Sequence, residues 1–189
     1  MKKIINEMKV RLPSHSENEA VARTVVSAFS ALLDPTVEEL SDLRCAVSEA
    51  VTNCIVHAYR NLPEGEFGYI YISLRLYDNR EITVEISDNG CGIEDIKRAR
   101  EPFFTTSESE ERCGMGFLVM ESFTDRVSVK SKVGKGTSVL LRKIFSPHTS
   151  EEEGKTKQGA PTKKMLPLSA LHNAVTVRLP SGFLSKINP

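Results

Sequence analysis

The stretch EITVEISDNGCG, residues 81–92, joins a strand pattern to a glycine-rich end. Its first part, Glu81 to Ser87, alternates with a period of two, as a half-buried strand does. Asp88 follows directly and begins the pattern Asp88-x-Gly90-x-Gly92. Glycines at this spacing let backbone approach a ligand closely, and a buried carboxylate there can accept a hydrogen bond from a ligand amino group. Taken alone, the pattern is equally compatible with an ordinary Asp-Gly turn.

Other period-two runs flank this stretch, and each predicts a strand. Two pairs of runs are separated by turn residues, Asp78-Asn79 in one case and Gly134-Lys135-Gly136 in the other, which predicts two antiparallel hairpins. The first run is ended by Pro13. The five predicted strands cover residues 8–12, 69–76, 81–87, 127–130 and 137–144.

Two helices are predicted between the first strand and the first hairpin. A capping box at Ser16–Glu19 predicts the start of the first helix. Its apolar residues recur at helical spacing: Val21, Val25, Phe29 and Leu32. Asp34 before Pro35 predicts the start of the second helix, which continues for about six turns. Its apolar residues would bury one side: Leu40, Leu43, Val47, Ala50, Val51, Cys54 and Ala58.

The composition favours a globular protein whose net charge produces no strong electrostatic field. Of 189 residues, 40% are hydrophobic and 26% charged, and 25 basic residues balance 25 acidic ones. The longest apolar runs fall short of the roughly 18 residues of a membrane span, and Met1 to Met8 lacks the apolar core of a secretory signal. We therefore expect a cytoplasmic protein that binds neither nucleic acid nor membranes. The cysteines predict reduced thiols and no structural zinc: Cys45, Cys54, Cys91 and Cys113.

The last part of the chain differs in character. Residues 147–189 are rich in Pro, Ser, Glu, Lys and Gly without periodicity, which predicts a flexible tail after a domain at residues 1–146. The pentapeptide Val-Arg-Leu-Pro-Ser occurs at residues 10–14 and again at residues 177–181. Two interpretations stay open: a chance repeat, or a tail segment that imitates the first strand at a sheet edge.

Polar residues four positions apart follow one stripe of the second predicted helix: Glu49, Asn53 and His57. A solvated polar edge is the simpler interpretation of such a stripe alone. The amide oxygen of Asn53 can ligate Mg²⁺, and a carboxylate one turn earlier can accept a proton from an attacking hydroxyl. We expect His57 to pack or cap rather than to shuttle protons, because Glu49 already supplies a base.

Two more glycine patterns follow the first in sequence. Gly114-x-Gly116 precedes the apolar helical segment 117–123 and would offer backbone N–H groups and a positive dipole end to phosphate. Gly134-x-Gly136-Thr137 lies in the last hairpin. Each pattern alone most often marks a turn. Their order is more informative: helix stripe, strand-terminal Asp-x-Gly-x-Gly, polar loop 105–113, Gly-x-Gly before a helix, and Gly-x-Gly-Thr.

That order resembles the GHKL, or Bergerat-fold, ATPase and kinase superfamily over residues 8–145. Within it, the chain is most similar to the small bacterial anti-sigma factor kinases of sporulation. The resemblance implies an α/β fold of α+β type: a two-layer sandwich with a mixed, mainly antiparallel sheet and helices on one face. The segments that carry it are Ser16–Glu19, Leu33–Pro35, Ser48–Asn53, Pro102–Thr106 and Arg112–Phe117.

The resemblance assigns roles to the motif residues. It implies that Glu49 is the general base, that Asn53 binds Mg²⁺ and that Asp88 anchors the adenine of ATP with water-mediated support from Thr137. Arg112 would contact the γ-phosphate and is the second catalytic candidate. The other ATP-binding residues that it implies are Gly90, Gly92, Thr105, Thr106, Gly114, Met115 and Gly116.

The function that follows from the resemblance is that of a protein-serine kinase using Mg-ATP. Such a kinase binds a sporulation sigma factor and phosphorylates a serine of an anti-anti-sigma protein. A homodimer is expected, and Arg23 on the outer side of the first helix is a candidate contact with a partner protein. The alternative is a related switch kinase for a stress-response sigma factor, or a phosphorelay without sigma binding. A self-contained sensor kinase is not expected, because only about eight residues precede the first predicted strand.

Overall fold

The computed structural model of the chain describes residues 2–101 and 114–147. A five-stranded sheet forms one layer, and each pairing between neighbouring strands in it is antiparallel. The strands are β1 (Ile4–Pro13), β2 (Tyr69–Tyr77), β3 (Glu81–Asp88), β4 (Arg126–Lys132) and β5 (Gly136–Ile144). Their order across the sheet is β1-β2-β3-β5-β4. Both predicted hairpins and the mainly antiparallel sheet are confirmed.

Helices form the second layer. They are α1 (Asn18–Ser30), α2 (Val37–Asn53), α3 (Ile96–Ala99) and α4 (Gly116–Phe123). A 3₁₀ turn, Ala31–Leu33, follows α1, and a π turn, Cys54–Ala58, extends α2. The single long helix that the sequence predicts is therefore an α-helix that widens over its last five residues.

Alternation along β2 shows why the helices cover one face of the sheet. Its even-numbered residues are almost fully buried, whereas the odd-numbered ones, such as Tyr69 and Tyr71, are half-buried on the other face. This period of two places one row of side chains against the helices. The core row consists of Ile70, Ile72, Leu74 and Leu76, packed with Leu43, Val47, Ala50 and Val51 of α2.

Both predicted helix starts are wrong in detail. Ser16 makes no cap: Glu17 occupies the N-cap of α1 without a side-chain cap bond. Glu19 instead accepts a hydrogen bond from the Ser48 hydroxyl (2.5 Å), so a contact with α2 takes the carboxylate that the capping box needs. Asp34 has a left-handed backbone (φ 49°) at the end of the 3₁₀ turn, and the true N-cap of α2 is Thr36.

Only part of the apolar row of the first predicted helix, Val21, Val25, Phe29 and Leu32, is buried. Val21 is 43% exposed, and Leu32 is 64% exposed because α1 has ended before it. Of the four predicted residues, Phe29 is buried and Val25 is partly buried against the core. The small side chain of Ala22, which is fully buried, lets α1 approach its neighbours closely on that side.

β1 begins four residues earlier than predicted, at Ile4. Residues 4–7 are exposed, so no alternation of apolar and polar residues marks them as a strand in the sequence. Pairing with β2, where Ile4 lies opposite Tyr77, extends the strand instead. No helix within residues 2–101 and 114–147 is long and apolar enough to cross a bilayer. The predicted tail at residues 147–189 lies outside the described residues apart from Pro147.

The cap of α2 gives a first test. Thr36 accepts a hydrogen bond from the Glu39 backbone N–H (3.1 Å), and Glu39 accepts one from the Thr36 N–H (2.9 Å), which completes a capping box. Thr36→Ala should lower the free energy of unfolding by about 1 kcal/mol, the usual effect of losing such a cap. Urea unfolding followed by circular dichroism measures this change.

Ser16→Ala is the matched control for that substitution. Because Ser16 caps no helix, its replacement should change the unfolding free energy by less than about 0.5 kcal/mol. A larger loss for Ser16→Ala than for Thr36→Ala would contradict the cap assignment.

Candidate functional site

A cavity of about 690 Å³ lies beside α2, the end of β3 and the start of α4. Most of the described residues that the sequence assigns to a site line it: Glu49, Asn53, Asp88, Gly92, Gly114, Met115, Gly116 and Thr137. Gly90 does not line the cavity. A Cβ at Gly90 would lie 2.1 Å from the carbonyl oxygen of Ala58, so this glycine packs against the π turn instead.

The Asp88 carboxylate lies at one end of the cavity, at the last residue of β3. It is 5% exposed and receives hydrogen bonds from three directions. Its Oδ1 accepts from the backbone N–H groups of Gly90 (2.8 Å) and Thr137 (3.2 Å). Its Oδ2 accepts from the Cys54 thiol (Sγ to Oδ2, 3.6 Å). A turn, a strand and a helix end therefore fix one buried carboxylate.

Burial changes the acid–base properties of this pair. Desolvation raises the pKa of Asp88, while the N–H groups of Gly90 and Thr137 and the Cys54 thiol act in the opposite direction. Desolvation also raises the pKa of the Cys54 thiol well above its usual value, and the nearby Asp88 charge adds to this. The thiol therefore stays protonated and acts as the donor.

The loop after Asp88 is held from both sides. On the helix side, the Cys91 N–H donates to the Ala58 carbonyl (2.8 Å) and the Cys91 thiol to the His57 carbonyl (3.2 Å). On the strand side, the Gly134 N–H donates to the Cys91 carbonyl (2.8 Å). The π turn thus contributes acceptors to the loop that carries the glycines, and π turns are frequent at functional sites.

A second group of polar side chains lies where α2 meets α4. A Cβ at Gly116 would lie 3.0 Å from Glu49 Oε2 and 3.5 Å from Asn53 Oδ1. Both side chains are therefore next to the first residue of α4, where helix N–H groups lack intrahelical partners. A carboxylate, an amide oxygen and the N-terminus of a helix meet in this part of the cavity.

His57, the third residue of the predicted stripe, also lines the cavity. It lies inside the π turn, so its position on the helix surface differs from that in a continuous α-helix. Arg112, Thr105 and Thr106 lie outside the described residues. Their assigned roles stay predictions.

Three residues that hold parts of the site in place were not predicted from the sequence. One is Cys54, which appeared as an apolar position of the helix and as a reduced thiol but not as a site residue. Tyr59 is the second: its hydroxyl accepts the Asn89 N–H (3.1 Å). The third is Ser131, whose hydroxyl accepts the Ile93 N–H (2.8 Å) and lies 2.9 Å from Thr137 Oγ1. No local pattern marks Tyr59 or Ser131, because their partners are distant in sequence.

The sequence matches the protein family described as "Histidine kinase-like ATPase domain" over residues 12–143. Among curated proteins, it is 53% identical over 140 residues to the anti-sigma F factor of Caldanaerobacter subterraneus subsp. tengcongensis, covering 74% of this chain and 94% of that protein. It is 45% identical over 141 residues to the anti-sigma F factor of Clostridium acetobutylicum, covering 75% and 95% of the two chains.

One solved structure supports the fold. It contains the RsbU and RsbW domains of Rv1364c from Mycobacterium tuberculosis and superposes with a TM-score of 0.55 at 15% identity. The match covers 76% of this chain and 33% of that one. At this level of identity the likeness concerns the fold alone.

The contact between Asp88 and the last hairpin gives a second test. Gly136 has φ +95°, and a Cβ there would lie 2.0 Å from the Asp88 carbonyl oxygen. Gly136→Ala should therefore displace the strand end beside Asp88. We expect it to lower the free energy of unfolding by about 1–3 kcal/mol more than Gly134→Ala does, which is the usual cost of overpacking.

Gly134→Ala is the control, because Gly134 also has a positive φ (+70°) but a Cβ there would meet nothing within 4 Å. It carries the backbone strain without the collision. Equal losses for the two variants in urea unfolding would show that the close approach to Asp88 does not constrain residue 136.

Proposed function

Since this chain belongs to the family of histidine kinase-like ATPase domains, we propose that it binds Mg-ATP and acts as an anti-sigma factor with protein-serine kinase activity. One observation carries the proposal: a single cavity holds a buried carboxylate at one end and a carboxylate, an amide and a helix N-terminus at the other. The anti-sigma F factors that it resembles along 94–95% of their lengths support the same function.

Adenine fits the end of the cavity at Asp88. The Oδ2 of Asp88 can accept a hydrogen bond from the exocyclic amino group of the base, and the Thr137 hydroxyl, held by Ser131, can bind a bridging water. Apolar side chains on the same wall, Ile86 and Val139, provide surface for the flat ring.

The residues beside Gly116 fit a magnesium ion that arrives with the triphosphate. No group of three or more His, Cys, Asp or Glu side chains in residues 2–101 and 114–147 is placed to hold a metal ion. One amide oxygen from Asn53 suffices, because Mg²⁺ usually binds one or two protein ligands and completes its shell with phosphate oxygens and water. When bound, the ion would offset charge on the phosphates.

Phosphate transfer then depends mainly on positioning. The N–H groups at the start of α4 bind phosphate oxygens through the positive end of the helix. Glu49, one helical turn from Asn53, accepts the hydroxyl proton of the substrate serine. The serine oxygen attacks the γ-phosphorus, and ADP leaves. Arg112 would stabilise the developing charge, as the motif resemblance implies.

The proposed partners are proteins: a sigma factor that is inhibited by binding, and an anti-anti-sigma protein that supplies the serine. We infer a homodimer located in the cytoplasm. Arg23 is a candidate contact because its charged side chain is 36% exposed on α1, where its Nε pairs with Glu19 (2.8 Å). The tail at residues 147–189 should be dispensable for ATP binding.

Asp88→Asn tests the adenine site. The amide can keep one oxygen for Gly90 and Thr137, but it places an N–H₂ group where the ligand amino group needs an acceptor. We expect ATP binding to be lost while the melting temperature stays near that of the wild type. Calorimetric titration with ATP that gives unchanged affinity would remove Asp88 from the adenine site.

Glu49→Ala tests the proposed activity. ATP affinity and sigma-factor binding should stay within a few fold of the wild type, whereas single-turnover phosphorylation of the anti-anti-sigma protein should slow by roughly 10²–10⁴, the range for a positioned base. Sedimentation of the same samples measures both the sigma complex and the dimer.

Glu38→Ala is the control for Glu49→Ala, since Glu38 is an exposed glutamate on the same helix. It should leave transfer unchanged. Wild-type transfer rates in Glu49→Ala would exclude the base role, and a chain that binds no sigma factor would exclude the anti-sigma function.

A further inference from the structure

The Asp88 carboxylate has few acceptor positions left for a ligand. An ionised carboxylate offers about four lone-pair positions, two on each oxygen. Two fixed N–H donors, from Gly90 and Thr137, occupy Oδ1, and the Cys54 thiol occupies one position on Oδ2. One position on Oδ2 therefore remains for a donor that enters the cavity.

Cys54 is placed to control that oxygen. It is the first residue of the π turn, it is 5% exposed, and it lines the cavity beside Asp88. Its Sγ lies 3.6 Å from Oδ2. The two backbone donors reach only Oδ1, so the thiol is the donor that fixes the orientation of the oxygen facing the ligand.

We propose that Cys54 is a positioning residue for the base of the nucleotide, because its thiol orients Asp88 Oδ2 and sets the pH range in which this oxygen accepts a ligand donor. This inference rests on the proposed function, since it assigns Asp88 to the base. The thiol itself neither contacts phosphate nor takes part in transfer.

Other titratable groups near Asp88 have to be separated from this effect. The Tyr59 phenol lies within the electrostatic reach of Asp88, and burial raises its pKa, so it stays neutral in the range considered. His57 and Cys91 line the same cavity from the π turn and from the loop. Substitutions at Cys54 leave all three in place, so they isolate the contribution of the thiol.

The sign of the effect follows from which form of Asp88 the donor stabilises. A hydrogen bond to the carboxylate favours the ionised form. Cys54→Ala removes the donor and should move the pKa of Asp88 further up, whereas Cys54→Ser supplies a stronger O–H donor and should move it down. Ligand affinity needs the ionised form of Asp88. When the solution is acidified, Cys54→Ala should therefore lose affinity at a higher pH than the wild type, and Cys54→Ser at a lower pH.

The experiment combines two readouts on the full chain. The first is the pKa of Asp88 without nucleotide, from the ¹³C shift of its carboxyl carbon. The second is the ATP affinity as a function of pH, from calorimetric titration. At a pH inside the transition, the affinities of Cys54→Ala and Cys54→Ser should differ from that of the wild type by roughly three- to tenfold in opposite directions.

Cys91→Ala is the matched control. Cys91 lines the same cavity, but its thiol donates to the His57 carbonyl instead of Asp88. Its replacement should leave the Asp88 pKa unchanged. Circular dichroism checks that each variant is folded, and Cys54→Ser, which keeps the number of side-chain heavy atoms, suffices for the test if Cys54→Ala is too unstable.

The outcomes separate the inference from the proposed function. Opposite shifts of the Asp88 pKa that the ATP affinity follows would support both. An Asp88 pKa that is the same in all Cys54 variants would overturn the role of the thiol and leave the ATP site standing. A shifted Asp88 pKa with an ATP affinity that ignores it would overturn the assignment of Asp88 to the base, and with it this inference.

Discussion

The Asp88 carboxylate is 5% exposed, and placing such a group away from water is unfavourable unless donors surround it. Three donors do so here, and they come from a loop, a strand and the end of a helix. Two of these approaches have a clear cause: Gly136 without a Cβ lets the last hairpin lie against the Asp88 backbone, and Cys54 continues the buried side of α2 after Ala50 and Val51. A loop, a strand and the end of a helix therefore meet around one carboxylate at this end of the cavity.

Helix α2 links that end of the cavity to the other. Glu49 and Asn53 lie near Gly116 on the last two turns of α2, and Cys54 follows immediately beside Asp88. Its far end is fixed by the Thr36 capping box, and the Glu39 carboxylate there also accepts the Ser146 N–H (2.6 Å) at the end of the sheet layer. One helix, anchored at its start, therefore sets the separation between the proposed base-binding and transfer groups.

Sequence patterns predicted the elements that local periodicity determines. Both hairpins and the strand-terminal Asp88 appeared where expected, because burial on one face requires a period of two. The helix starts did not lie where the sequence patterns predicted them. The predicted cap at Asp34 is replaced by Thr36, which makes reciprocal hydrogen bonds with Glu39. Ser16 forms no capping box because Glu19 accepts a hydrogen bond from Ser48, a tertiary contact that no local pattern contains. Within the site, the thiol contact of Cys54 was missed for the same reason.

The π turn at Cys54–Ala58 has a consequence for how the chain can vary in length. Each residue of an α-helix advances the chain by about 100° around the axis, and a π turn is one residue longer than an α turn. Deleting a single residue in this segment would restore an α turn, so one of the groups that the segment presents would be lost or displaced: the Cys54 thiol, or one of the His57 and Ala58 carbonyls that hold the loop. The segment can therefore accept substitutions that fit the packing, but it cannot change its number of residues without changing the site.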